Sequence, residues 1–302
     1  MKNQIYLIIL LILLAFSDRS NGQERQLKVI TYNIWNGFDF GKDENRREKL
    51  AYWVNEQSPE IVGLQELCKY TPEKLEEDAK KWGHNYSVLL KEQGYSVGLT
   101  SKFPIELKEK IIDGMHHGAL HCKTAGIDIF VIHFSPSSYA KRQEESKIIL
   151  QKLKDIAGSN SNYLVMGDFN GHSPFDADYY KNGVLLNHYL KSKENKNDKG
   201  NLANSNLDYS VLSSYLAFPL IDVCQRFTKG MSERGSFPAR VLSTENKETE
   251  DEIVARLERI DYIMVSPKLA EKCIASKVFN GKENWMLSDH YPVMAEFAGV
   301  GD

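Results

Sequence analysis

Cysteine is scarce in this chain. Four thiols in 302 residues, at Cys68, Cys122, Cys224 and Cys273, are too few and too scattered for a disulfide framework, and none shows the spacing of a structural zinc site. A chain this long buries a sizeable core without staples, so whether the thiols pair or stay free is left open by their spacing. A basic surplus is also missing. Lys and Arg number 38 against 41 Asp and Glu, for a formal charge of −3, which argues against the broad cationic face of a protein that clamps long nucleic acid and leaves room only for a local patch. Long apolar runs are confined to one place. Ile5 to Phe16 follows Lys2 and is shorter than the roughly 20 residues a spanning helix needs, so it reads as the core of a signal peptide. Ser20 and Gly22 give the small-x-small pattern of a cleavage site after Gly22. The expectation is a signal peptide over 1–22, export to the periplasm or the exterior, and no stable membrane anchor after cleavage.

What remains is a globular chain with no internal repeat, read as a single domain over 27–299. Short apolar strands alternate with amphipathic helices. Strands are expected at Val29–Tyr32, Ile61–Gln65, Tyr86–Leu90, Ser96–Thr100, Leu120–Lys123, Ile127–Phe134, Tyr163–Met166, Ile260–Val265 and Val293–Phe297. Leu50, Trp53 and Val54 share a face of a helix over Glu44–Gln57. Thr71 and Pro72 supply the cap and first-turn proline of another helix, and Ser138 caps a third that closes near Gly158. Two stretches, 191–206 and 243–252, are polar without apolar period and are expected as surface loops, one of them a candidate flap facing substrate.

Polar residues recur just past the ends of apolar strands: Asn33, Glu66, His133, Asp168 with Asn170, and Asp289-His290 ahead of the final strand. Strand termini in an α/β protein are rigid and converge on one rim, the usual place for a ligand. The set is rich in carboxylate and amide oxygen and holds neither cysteine nor lysine, which suits a hard divalent cation, Mg²⁺ or Mn²⁺.

Five segments in order, Thr31-Tyr32-Asn33-Ile34-Trp35-Asn36-Gly37, Gly63-Leu64-Gln65-Glu66, Gly167-Asp168-Phe169-Asn170, Arg259-Ile260-Asp261-Tyr262-Ile263 and Ser288-Asp289-His290-Tyr291-Pro292-Val293, resemble the endonuclease/exonuclease/phosphatase superfamily of DNase I-like phosphoesterases. The resemblance implies a four-layered αββα sandwich, two mixed sheets packed face to face with helices outside. It implies that Glu66 ligates metal with Asn33 nearby at metal or phosphate, and that Asp168 holds or activates the attacking water. By the same resemblance Asn170 orients water and phosphate, His290 is positioned by Asp289, and His133 contacts phosphate. Asp261 is implied as a group beside the first ligands or at a second metal, and Asn36, Asn170 and His133 as substrate contacts. Two departures stand out: Trp35 occupies a place where some nucleases carry a metal-binding Asp, and no Trp-Cys-Asp-Arg segment of the inositol phosphatase kind is present.

The expected function is an exported, metal-dependent phosphodiesterase acting on nucleic acid or on a small or lipid phosphodiester, with no obligate protein partner. Phosphodiester cleavage needs charge neutralisation, an in-line water and help for the leaving alkoxide, and these residue types supply all three. A sphingomyelinase-like lipid phosphodiesterase, a phosphomonoesterase, and a phosphate- or protein-binding module without catalysis are the alternatives.

Overall fold

The computed structural model describes residues 26–158, 161–194, 200–245 and 248–300; the expected signal peptide lies outside them. Twelve strands form two six-stranded sheets. The first holds β1 (Gln26–Asn33), β2 (Ile61–Gln65), β3 (Tyr86–Leu89), β4 (Gly98–Ser101), β11 (Cys273–Val278) and β12 (Val293–Ala298), in the order β11-β12-β1-β2-β4-β3. The second holds β5 (Glu106–Ile111), β6 (Ala119–Thr124), β7 (Ile127–His133), β8 (Tyr163–Asp168), β9 (Ile221–Asp222) and β10 (Asp261–Val265), in the order β5-β6-β7-β8-β10-β9. The β1–β2 and β7–β8 pairs are parallel and the rest antiparallel, so both sheets are mixed.

Period-two alternation assigns each strand residue to a layer. Leu27 and Val29 pack between the sheets with Ile129, Val131, Leu164, Met166, Ile263 and Val265. Ile30 and Tyr32, of opposite parity, pack beneath helices Glu44–Gln57 and Pro72–Lys81, while Phe130 and Val165 pack beneath Tyr139–Ile156 and Ser210–Ala217. The result is the αββα sandwich. The expected caps form: Thr71 Oγ1 accepts from Lys74 N at 3.2 Å and Ser138 Oγ from Lys141 N at 3.3 Å.

Three strands escape the hydrophobic pattern. β5 is a charged edge strand, of the kind that protects a sheet from unwanted pairing, β9 is two residues long, and β11 is a half-exposed edge. The two polar stretches also depart from the expected loops. Helix Val184–Glu194 runs into the first, and the second contains Leu242–Glu245 and Glu250–Ala255. The latter opens with a reciprocal capping box between Thr249 and Glu252 and buries Ile253 alone, so local hydrogen bonding rather than an apolar stripe makes it a helix. All four cysteines are free, three of them buried.

One glycine ties the fold to the site. Gly167 precedes Asp168 with φ +136°, and a Cβ there would sit 2.1 Å from the Ile132 carbonyl of β7. Gly167→Ala is therefore expected to destabilise the protein by at least about 2 kcal/mol. A urea midpoint unchanged from wild type would contradict this.

Candidate functional site

The same parity that builds the core builds the site. Asn33 continues the inward series of Leu27 and Val29, His133 that of Ile129 and Val131, Asp168 that of Leu164 and Met166, and Asp261 begins that of Ile263 and Val265. Each lies at an end of its strand, and pairing aligns them: His133 and Asp261 are the in-register neighbours of Asp168 on its two sides. The ends of the facing sheets then meet at Asn33. Its Nδ2 lies 3.2 Å from Asp168 Oδ2, 3.3 Å from Glu66 Oε1 and 3.4 Å from His290 Nε2.

The orientation of that amide is set by the backbone. Trp35 N donates to Asn33 Oδ1 at 3.1 Å, which turns the NH₂ toward the cluster. Asn33 thus meets the site as a donor, a role that suits a phosphate oxygen better than a cation.

His290 departs from the expected pairing. Its Nδ1 lies 2.8 Å from Asp261 Oδ2, whereas Asp289 accepts from Ser288 Oγ at 3.3 Å and shares the pocket wall with Glu66. Asp261 reaches the imidazole because it is inward-facing on β10 and is clamped there. Ser236 Oγ accepts from the Ile260 and Asp261 amides at 3.1 and 3.0 Å, while the Ser236 carbonyl accepts from Tyr291 N at 2.7 Å. Phe237 packs on the other side of the ring, with centroids 4.7 Å apart. A lone serine outside any motif carries no signal from which this clamp could be read.

The two imidazoles beside Asp168 differ in charge. His133 Nε2 is 3.5 Å from Asp168 Oδ2; burial pushes its pKa far down, and His117, stacked on it at 4.2 Å, pushes it lower still. Both effects favour the neutral ring. For His290, burial acts against the cation, but Asp261 and Asp289 outweigh it and hold the pKa well above the ordinary value. Asp168 is pushed up by burial and by Asp261, against the opposing pull of His290 and of the Asn170 amide, which donates to Oδ1 at 2.8 Å. Burial, with Glu66 adding to it against His290, raises Asp289 to about 7.

Three loops at this end store backbone strain. Trp35 to Gly41 run with positive φ throughout, a left-handed turn, although each non-glycine residue pays roughly 1–2 kcal/mol for that conformation. Glu66 (φ 61°) and Asn170 (φ 48°) are left-handed as well. Tertiary bonds hold the turn. Asn36 N donates to Glu66 Oε2 at 2.6 Å, and Arg46 donates to the carbonyls of Ile34, Trp35 and Leu287 at 2.9, 3.0 and 3.1 Å. Asn36 therefore braces Glu66 through its backbone, and the residue lines a neighbouring recess with Trp35 and Arg46. Asn170 donates from Nδ2 to the Phe134 carbonyl at 3.0 Å, so its amide is fixed beside Asp168.

These groups open into a pocket of about 400 Å³ lined by Glu66, His133, Asp168, Asn170, Asp289 and His290. Its far wall includes His188, Tyr189, Asn201, Glu248 and Arg256, so both polar stretches border the site. Among the described residues, Asp168, Asp261 and His290 offer ligand atoms within 4.8 Å of one another. Asp261 Oδ1 is buried without a hydrogen-bond partner, and a buried acceptor left unpaired in a carboxylate-rich cluster fits a hard cation.

Comparisons with known proteins identify the family and match the fold. A family model described as the Endonuclease/Exonuclease/phosphatase family matches residues 30–290. An AP endonuclease from Archaeoglobus fulgidus superposes with a TM-score of 0.65 at 20% identity, over 90% of this chain and 99% of that one. The 3′ phosphatase NExo from Neisseria, bound to a product DNA hairpin, gives 0.61 at 16% identity over 90% and 99%. The 3′-5′ exonuclease NExo from Neisseria meningitidis gives 0.59 at 16% over 90% and 100%. A comparison with curated proteins found no match.

Proposed function

Because the chain belongs to the endonuclease/exonuclease/phosphatase family, hydrolases of phosphoric esters, we propose that it is an exported, divalent-metal-dependent phosphodiesterase. The observation that carries this reading is the in-register trio His133, Asp168 and Asp261, joined through Asn33 to Glu66 and His290 from the facing sheet. Export rests on the apolar run Ile5 to Phe16.

The division of labour follows from charge and position. Glu66 and the buried carboxylates would hold Mg²⁺ or Mn²⁺, which when bound neutralises charge on the nonbridging oxygens and favours departure of the alkoxide. Asn33 and neutral His133 direct donors at the phosphate. Asp168, fixed by the Asn170 amide, aligns the water opposite the leaving oxygen, and its proton passes to the coupled Asp168–His290 unit. His290, oriented by Asp261, donates to a nonbridging phosphoryl oxygen as negative charge builds there.

Purified protein lacking residues 1–22 is expected to hydrolyse a generic aryl phosphodiester with Mg²⁺ or Mn²⁺ and to stop on chelation, recovering when the ion is restored. Turnover that ignores the chelator, or none with any divalent ion, would sink the proposal.

A further inference from the structure

Half of the pocket takes no part in the chemistry above. Beyond the catalytic groups it is walled by Asn201, Phe237, Arg256 and Glu258. Arg256 is the informative member. Its side chain is 7% exposed, and Nε and Nη2 donate to the Glu248 carboxylate at 3.0 and 2.9 Å, leaving Nη1 without a hydrogen-bond partner among the described residues. Glu258, equally buried, accepts from Tyr189 Oη at 3.1 Å and pairs with His172 Nε2 at 2.5 Å, which holds that wall rigid.

A guanidinium paired along one edge adds little net charge, but it keeps a planar donor fixed in direction. Nη1 is not sealed in the wall as an unpaired buried atom, so on this pocket-lining residue it is a donor that a ligand oxygen can meet. Around it stand an amide, a carboxylate and an aromatic ring, the mixture that suits hydroxyl groups on a compact body. A strand of nucleic acid needs instead a track of cationic phosphate contacts, and Arg256 is the sole Lys or Arg among the residues lining this pocket. The volume, about 400 Å³, is that of a small-molecule site.

We propose that this half-pocket is the alcohol subsite for a small, hydroxyl-rich phosphoester of the sugar- or polyol-phosphate class, with Arg256 Nη1 as its specificity-determining donor. The assignment rests on the hydrolase reading for the position of the phosphate and deepens it by naming the alcohol.

The test is calorimetric titration in Mg²⁺ of protein carrying His290→Ala, which suppresses turnover, with a panel of hexose, pentose and polyol monophosphates, inorganic phosphate and a single-stranded DNA oligonucleotide. At least one panel member is expected to bind about tenfold or more tightly than inorganic phosphate and more tightly than the oligonucleotide. Adding Arg256→Met should cut that preference at least about fivefold, and so should Arg256→Lys, which keeps the charge beside Glu248 but loses the planar donor. A panel in which nothing outbinds phosphate, a preference that survives both substitutions, or tighter binding of the oligonucleotide would overturn the proposal. Wild-type protein inactive on the aryl phosphodiester, with the preference intact, would sink the phosphodiesterase reading and leave the subsite standing.

Discussion

His290→Ala is expected to lower turnover of an aryl phosphodiester at least about a hundredfold, with the fold retained. The imidazole lies between two carboxylates: Nδ1 is held by Asp261 at 2.8 Å and Nε2 faces Asp168 at 3.8 Å. Alanine removes both the donor to the phosphoryl oxygen and the cation that offsets Asp168. Since the ring meets the substrate chiefly as charge develops, the loss belongs in kcat rather than in KM. Asp168→Asn should produce a loss of the same order, because an amide can neither take a proton from water nor present two anionic oxygens. Asp261→Asn should lose less, about tenfold, since an amide oxygen can still accept from Nδ1 and keep the ring in place. Steady-state kinetics with circular dichroism as a folding control checks all three. Turnover near wild type in His290→Ala or Asp168→Asn would remove those residues from the roles assigned.

Arg259→Met is expected to cost about 3–5 kcal/mol of stability. Arg259 is fully buried, with Nε on Asp176 Oδ2 at 2.7 Å and Nη2 2.8 Å from Asp222 Oδ2. The second contact lies off the hydrogen-bond axis and acts as an ion pair alone. Arg234 also reaches Asp176, at 3.1 Å, so removing Arg259 leaves Asp222 as the carboxylate without a counter-ion. Burial by itself would disfavour the guanidinium, yet Asp222, Tyr262 and Asp176 together hold its pKa above the ordinary value. Methionine fills the space and isolates the electrostatic loss, which chemical unfolding reads directly. A midpoint shift worth less than about 1 kcal/mol would show that Arg234 suffices. The effect should fall on stability more than on chemistry, although Arg259 belongs to the same short motif as Asp261.

That contrast marks how far the site was legible in sequence. Asn33, Glu66, His133, Asp168 and His290 stand beside the ends of apolar runs, which the sequence shows without coordinates. Asp261 was found only through the family-like segment Arg259-Ile260-Asp261-Tyr262-Ile263 that contains it. Its pairing with His290 was not found: Asp289 is adjacent in the chain, while Asp261 is brought to the ring by β8–β10 register and the Ser236 clamp. Asn36 illustrates the same gap, since only the left-handed turn brings its backbone amide onto Glu66. Arg256 and Glu258 were invisible, because nothing local distinguishes a buried polar wall from a solvated helix end.

The chain's own order of residues determined nine of the twelve described strands, the main caps and the oxygen-rich character of the site, because these depend on periodicity and on neighbours a few positions away. Tertiary structure decided which carboxylate holds which imidazole, which way the Asn33 amide points and what walls the pocket. Those outcomes depend on register between strands as distant as Asn33 and His290 and on backbone strain that only packing from the rest of the molecule can hold.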